Sequence, residues 1–152
     1  METALFLDPD LWTKIGLSVF CGFIVGIERQ IHKKPIDART SVLVCLGTMA
    51  FIYLGEQLDG DKDPTRVLGQ VATGIGFLGA GAIVTRQGLV TGVTSAAVVW
   101  VLSAIGAAIG LGFYEMGIIL SLITVFVLSG LHWMDEVATR VFKFKPPDEL
   151  KR

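Results

Sequence analysis

The polar residues that could do chemistry fall at the ends of apolar segments, and their types favour the binding of an anion. Guanidinium groups and hydroxyls, together with the N–H groups at helix N-termini, hold phosphate or carboxylate oxygens. A single glutamate would balance the positive charge while such a site is empty. The predicted set consists of Glu28, Arg29, Arg39, Thr40, Arg86, Thr94 and Ser95.

A purely structural interpretation of the same residues stays open. In it, Glu28 pairs with Arg39 or Arg86 and ties the helix ends together. Thr40 and Thr94 then serve as helix caps. A buried ion pair is weak support for stability, whereas an ionisable residue at the edge of a membrane helix favours a functional role. The sequence is compatible with both interpretations.

The residue pattern argues against an enzyme. The sequence shows no nucleophile beside a base, no pair of catalytic carboxylates and no cluster of metal ligands. His32 stands among lysines, without a second histidine or a carboxylate cluster beside it. We therefore expect no catalytic activity, no metal, no cofactor and no nucleic-acid partner.

Two short motifs are partial matches. Gly74, Gly76 and Gly79 satisfy the G-x-G-x-x-G pattern of dinucleotide-binding loops, but residues 93–101 lack the acidic residue that would contact the ribose. We expect these glycines to pack inside a membrane instead. Alternating aspartates in residues 59–63 resemble the start of a calcium loop but lack its glycine and its distant glutamate. A solvated turn is expected there.

Long apolar segments dominate the chain and must position these residues. The 152 residues are 52% hydrophobic and carry a net charge of −1, and the mean hydropathy is +0.64. We predict an all-α membrane protein with a transmembrane domain in residues 1–133 and a basic amphipathic cytoplasmic tail in residues 134–152. Five segments approach the roughly 20 residues that cross a bilayer, namely 11–27, 40–56, 64–84, 93–111 and 116–133.

The basic residues predict the orientation, because Lys and Arg in short loops stay cytoplasmic. With the N-terminus outside and the C-terminus inside, ten of the thirteen Lys and Arg residues are cytoplasmic. The inner ends of the first four helices then meet at one membrane face. The N-termini of the second and fourth helices also point to this face, which adds positive dipole ends to it.

The third segment is rich in glycine and is predicted to lie at the centre of the bundle, because small residues let membrane helices approach closely. Its outer half carries polar residues that could line a path or bond to neighbouring helices: Arg66, Gln70 and Thr73. The predicted packing glycines are Gly22 and Gly26 in the first segment and Gly74, Gly76, Gly79 and Gly81 in the third.

Assembly is predicted from the same small residues. Several small-residue faces suggest a homodimer, the commonest closed symmetry. The candidate interfaces are the face of Gly22 and Gly26 and the fourth helix. Trp100 is expected to face protein, since a buried indole needs a partner for its N–H group.

Four stretches resemble one known family: GFIVGIERQ, ART at the start of the second segment, DPTRVLGQVATGIGFLGAGAI, and GVTSAAVVWVLSAIGAAIGLG. Their order and spacing are similar to those of the membrane domain of the MgtC/SapB family over residues 12–133. The chain departs from many members in having Ala38 before Arg39 and the sequence VTSAA at residues 93–97. The arginine and the hydroxyls remain in place.

The resemblance implies a multi-pass protein of the bacterial inner membrane, linked to growth in low magnesium and, in pathogens, to virulence. It also implies a short form without the soluble C-terminal domain of longer members. Two alternative functions follow. The first is a non-enzymatic modulator of other membrane proteins, including the F-type ATP synthase, and the second is a transporter or channel for magnesium or another small ion.

Overall fold

The computed structural model describes residues 8–58, 64–86 and 88–142, and these form five helices and one hairpin. The acidic loop at residues 59–63 and the end of the basic tail, residues 143–152, lie outside the described residues. The elements in chain order are α1 (Pro9–Ile31), α2 (Ala38–Leu58), α3 (Pro64–Gly81), β1 (Val84–Arg86), β2 (Leu89–Thr91), α4 (Val93–Gly110) and α5 (Tyr114–Phe142).

The prediction of an α-helical membrane protein is confirmed. Three of the described helices are long and apolar enough to cross a bilayer, and they are α1, the Ala38–Gln57 part of α2, and α4. A further apolar helix, Tyr114–Gly130 within α5, is shorter. In the predicted tail, α5 continues to Phe142.

Helix α4 lies at the centre of the single chain. Eleven of its eighteen residues are buried, and it packs against α1, α2, α3 and α5. Apolar side chains of α1, α2 and α4 form one continuous core. Its most deeply buried members are Cys21, Val25, Cys45, Met49, Leu102, Ile105 and Ile109.

The glycine-rich helix α3 is not central in the described part of the chain, contrary to the sequence-based expectation. It packs on one side against α4 and α2. Most of its residues are exposed, and Phe77 retains 82% of its accessible surface. The physical reason is that small side chains permit close packing but make few van der Waals contacts of their own, and such contacts drive helix association in a bilayer. Helix α4 offers large buried side chains as well as small ones.

Trp100 also differs from its prediction. It lies on α4 but is 56% exposed, so the indole points away from the core of this chain. Its neighbours Val98 and Val99 are buried in its place. A surface tryptophan on a membrane helix contacts lipid or another protein, since the bilayer replaces water there.

A tight β-hairpin joins α3 to α4 where the sequence indicated only a short loop. Val84 pairs with Thr91 and Arg86 with Leu89 in antiparallel register. Gly92 follows with a φ of 87°, and an added Cβ would lie 1.9 Å from the main-chain oxygen of Ala82. Glycine is therefore required where the chain turns into α4.

Candidate functional site

A cavity with charged and hydroxyl groups in a largely apolar lining lies at the end of the bundle where α1 ends and α4 begins. Its volume is about 640 Å³. Arg29 from the last turns of α1 lines it together with Lys34 from the loop that follows. Thr94 and Ser95, from the first turn of α4, line the opposite side. Elements far apart in the chain thus meet at one end of the bundle.

Arg29 is the central charged group of this cavity. It is only 4% exposed, and Ser95 is 2% exposed. The Nη2 atom of Arg29 donates a hydrogen bond of 3.0 Å to the hydroxyl of Ser95. The Nε atom is buried and has no hydrogen-bond partner among the described residues. A buried guanidinium donor without an acceptor is costly, so this N–H group has unused binding capacity.

Glu28 precedes Arg29 in the chain but does not neutralise it through a direct contact. Adjacent residues on a helix point in different directions, whereas residues four apart are neighbours. Glu28 Oε1 accordingly lies 3.0 Å from Nδ1 of His32. The same nitrogen lies 2.8 Å from the main-chain oxygen of Glu28. The Oε2 atom of this buried glutamate has no partner in the described part of the chain.

The start of α2 is capped by Asp37, the residue just before the helix and a cap candidate from the sequence, rather than by Thr40. The Asp37 carboxylate accepts hydrogen bonds from the N–H group of Thr40 at 2.9 Å and from its hydroxyl at 2.8 Å. These bonds hold the pKa of Asp37 below its usual range, and the bond from the N–H group has the larger effect. The N–H group and the hydroxyl of Thr40 therefore both donate to the Asp37 cap.

The remaining predicted cluster residues are distributed differently from expectation. Arg39 is exposed and lies outside the lining of the cavity. Thr94 is exposed but does line the cavity. The backbone of Arg86 pairs with Leu89 in the hairpin, and its side chain lies outside the description. The structure thus brings Arg29, Thr94 and Ser95 together and leaves Arg39 apart.

Lys34 and His32 are functional candidates that the sequence interpretation missed. Lys34 is one of the ten basic residues predicted to be cytoplasmic, and the sequence analysis gave His32 no ligand role. The available signal for His32 was its spacing of four residues from Glu28, which places both on one helix face. No comparable local signal exists for Lys34, because its place in the cavity depends on the chain reversal at Pro35 and on the distant hairpin.

The predicted packing glycines fall into two groups. A Cβ on Gly22 would lie 2.9 Å from Cα of Val42, and one on Gly26 would lie 2.5 Å from Cα of Ala38. These glycines are filled by α2 within the same chain, so their face is not free for the dimer contact that the sequence suggested. A Cβ on Gly79 would make an ordinary contact of 3.5 Å with Ala96. The other α3 glycines meet nothing within 4 Å among the described residues, and these are Gly69, Gly74, Gly76 and Gly81.

The polar residues of α3 do not converge on one site. Arg66, Gln70 and Thr73 are all exposed. The Thr73 hydroxyl donates a 2.9 Å hydrogen bond to the main-chain oxygen of Gly69 on its own helix. Gln70 lines a mostly apolar groove of about 630 Å³ between α2 and α3.

A second polar cluster, at the opposite end of the bundle, had no place in the sequence analysis. The Lys14 ammonium lies 3.0 Å from the Asp10 carboxylate and 5.0 Å from the centre of the Tyr53 ring. The Tyr53 hydroxyl donates a 3.0 Å hydrogen bond to Asp8, and the Tyr114 hydroxyl donates to Asp10. These bonds tie the ends of α1, α2 and α5 together.

The relatives of this chain are bacterial proteins. It is 41% identical over 123 residues to the protein named "Putative magnesium transporter YhiD" of Escherichia coli K12, covering 76% of this chain and 57% of the relative. It is 34% identical over 152 residues to protein SrpB of Synechococcus elongatus, covering 88% of this chain and 84% of the relative. It is 36% identical over 108 residues to protein MgtC of Brucella abortus, covering 71% of this chain and 44% of the relative.

The chain therefore spans a little over half the length of YhiD and less than half that of the Brucella protein. No solved structure matches it. The model of the MgtC family matches residues 15–137, which is most of the chain. On this match and on the identities to its relatives, the chain belongs to the MgtC family.

Proposed function

We propose that this chain is a non-enzymatic protein of the bacterial inner membrane that modulates another membrane protein through helix contacts during adaptation to low magnesium. Family membership supports the membrane setting. The observation that carries the modulator role is the open glycine face of α3, defined by Gly69 and Gly76, which lie seven residues apart on one side of the helix.

The open glycine face is suited to a second helix. Elsewhere in this chain, glycines such as Gly22 and Gly26 are in contact with a neighbouring helix backbone. In a membrane, small residues allow two backbones to pack closely, which compensates for the absence of a hydrophobic driving force between helices. A helix side with two unoccupied glycine positions is therefore suited to a contact that the described part of this chain does not provide.

The proposed occupant is a transmembrane helix of a different protein. Arg66, Thr73 and Gly76 recur at intervals of seven and three residues, so Arg66 lies at one end of the stripe that contains the glycines. The family resemblance suggests the F-type ATP synthase as the first partner to examine.

The test is co-purification from bacterial membranes in mild detergent, with ATP-synthase activity and proton coupling measured in parallel. Gly76→Leu should release the partner because it fills the open glycine face. Gly16→Leu is a matched control, since Gly16 on α1 is equally open within the described chain. It should leave the complex intact.

Two results would contradict the modulator proposal. One is recovery of the chain only with copies of itself, combined with unchanged ATP synthesis and proton coupling in a deletion strain. That result would favour a homodimer instead. The other is an equal effect of Gly76→Leu and Gly16→Leu on the complex.

The alternative function is transport of magnesium or another small ion. It is supported by the name of the relative YhiD, a putative magnesium transporter, and by the oxygen of the buried Glu28 carboxylate that has no partner among the described residues. A magnesium path is expected to present several carboxylates and retained waters. Glu28 is the one carboxylate among the buried residues that the structure describes, so transport is ranked second.

Flux into reconstituted vesicles decides between the two functions. Magnesium or proton flux that Glu28→Gln abolishes would reverse the ranking. Glu115→Gln is the control, because Glu115 is an exposed carboxylate in the first turn of α5. The same flux in empty vesicles would assign the signal to leakage and leave the modulator proposal first.

A further inference from the structure

We infer that the cavity between the end of α1 and the start of α4 binds a phosphate group, with Arg29 as its main ligand and Lys34 at its mouth. The phosphate could belong to a lipid headgroup or to a free phosphate, and both offer the same oxygens. This inference is independent of the proposed modulator role, because the cavity is formed without the open glycine face of α3.

The first argument is the state of Arg29. Its side chain is more than nine-tenths buried and lines the cavity. One guanidinium nitrogen is tied to Ser95, which fixes the plane of the group, and Nε is left without a partner among the described residues. A planar guanidinium held in one orientation is well suited to contact two oxygens of a phosphate.

The second argument is the start of α4. The first N–H groups of a helix have no partner inside it, and they carry the positive end of the helix dipole. Gly92 occupies the N-cap and provides no side-chain hydrogen bond to them. Its positive φ and the close approach of Ala82 leave no room for the capping side chain that Ser or Asp would supply. The helix start is thus open to an external acceptor.

The charge balance of the cavity favours an anion. Arg29 and Lys34 are the charged residues in its lining, and both are positive. Glu28 is near enough to attract Arg29 electrostatically, but it makes no direct contact with it and pairs one oxygen with His32. The other walls are apolar and include Val84, Val90, Val93, Val127 and Leu128.

This site differs from the cluster predicted from the sequence, and the difference provides a control. Arg39 was expected to be a ligand, but it is exposed and outside the cavity. Arg39→Gln removes the same chemical group as Arg29→Gln at a position that should not contact the phosphate. Arg39 lies in the first turn of α2, where a positive charge is unfavourable for the helix dipole. Its removal should therefore not destabilise this helix.

The experiment uses the full chain in detergent and in nanodiscs. Two probes are added separately: inorganic phosphate, measured by titration calorimetry, and phosphatidylglycerol, measured by native mass spectrometry against diacylglycerol, which lacks the phosphate. Binding of inorganic phosphate identifies a free phosphate as a ligand, and selective retention of phosphatidylglycerol alone identifies a lipid headgroup. Absence of both in the wild-type chain overturns the inference.

The variants locate the site. Arg29→Gln should weaken binding at least about tenfold, as expected for loss of a charged hydrogen bond. Lys34→Gln should weaken it by about two- to fivefold, since this residue is exposed. Arg39→Gln should change it by less than about twofold. Equal losses in Arg39→Gln and Lys34→Gln would overturn the inference, and Lys34→Gln decides the question if Arg29→Gln does not fold.

Discussion

Two sets of glycines in this molecule have opposite surroundings. Gly22 and Gly26 of α1 and Gly106 and Gly110 of α4 are filled by neighbouring helices of the same chain, and a Cβ on Gly106 would lie 2.3 Å from the main-chain oxygen of Cys45. All glycines of α3 except Gly79 are open in the described structure, and a Cβ on Gly76 would meet nothing within 4 Å. The two sets are similar in sequence and differ in occupancy.

The difference separates what holds the fold from what is available to other molecules. Filled glycines let α1, α2 and α4 approach closely around buried side chains such as Cys45 and Leu102. Substitution of a filled glycine by a larger residue should therefore displace helices or unfold the chain. Open glycines contribute little to the single chain, so their substitution should leave its stability intact and affect only contacts with other molecules.

The largest expected effect is that of Gly106→Ala. All close neighbours of the added methyl group on the Cys45 side are backbone atoms, so α2 and α4 must separate. We expect a loss of about 1–3 kcal/mol in the free energy of unfolding, the usual cost of an overpacked core. Unfolding of the purified chain in mixed detergent and SDS micelles measures it.

The matched change in the open set is Gly76→Ala. It should cause no loss of stability, because the methyl group meets no atom of the described chain and alanine is the better helix former. If Gly76→Ala destabilises the isolated chain as much as Gly106→Ala does, then the α3 face is occupied within the chain and the comparison fails.

The helical fold could be predicted from the sequence because its signals are local. Apolar segments of the right length indicated the helices, and the structure has helices at all five of them. The position of α3 could not be predicted, since glycine content indicates where a close contact is possible but not whether another helix provides it. The hairpin was missed because each strand is three residues long, too short for a periodic pattern.

The candidate site was predictable only in part. Hydroxyls at the start of α4 and an arginine at the end of α1 were found from their positions at helix ends. Choosing Arg29 over Arg39 requires the rotation of each helix about its axis, and one residue of error changes the direction of a side chain by about 100°. The role of Lys34 depends on contacts across the chain, which the sequence alone does not specify.

An intermediate effect is expected at Gly117, where α5 meets α4. A Cβ there would lie 2.6 Å from Cγ1 of Ile109, which is a side-chain atom that can move. Gly117→Ala should therefore cost about 1 kcal/mol, comparable to an unfavourable side-chain rotamer. In an Ile109→Ala background the cost should disappear, and a double-mutant cycle measures this coupling. A cost that persists in that background would show that backbone, not Ile109, limits the approach.

The smallest expected effect concerns hydroxyl groups, which form different hydrogen bonds in the two regions. Thr48 on α2 and Ser103 on α4 share a buried hydrogen bond of 3.2 Å between their hydroxyl oxygens. Thr73 on α3 bonds only to its own helix in the described contacts. Thr48→Val should cost about 0.6 kcal/mol, the average for hydrogen bonds between membrane helices.

Thr73→Val is the control for that substitution, and it should change the free energy of unfolding very little. The hydroxyl of Thr73 is exposed and ties α3 to no other described element. Ser103→Ala should remove most of the cost of Thr48→Val, because the bond is then already absent. Equal costs for Thr48→Val and Thr73→Val would mean that α3 is held by polar contacts as firmly as α2. The open glycine face would then be part of the folded core rather than a surface for another protein.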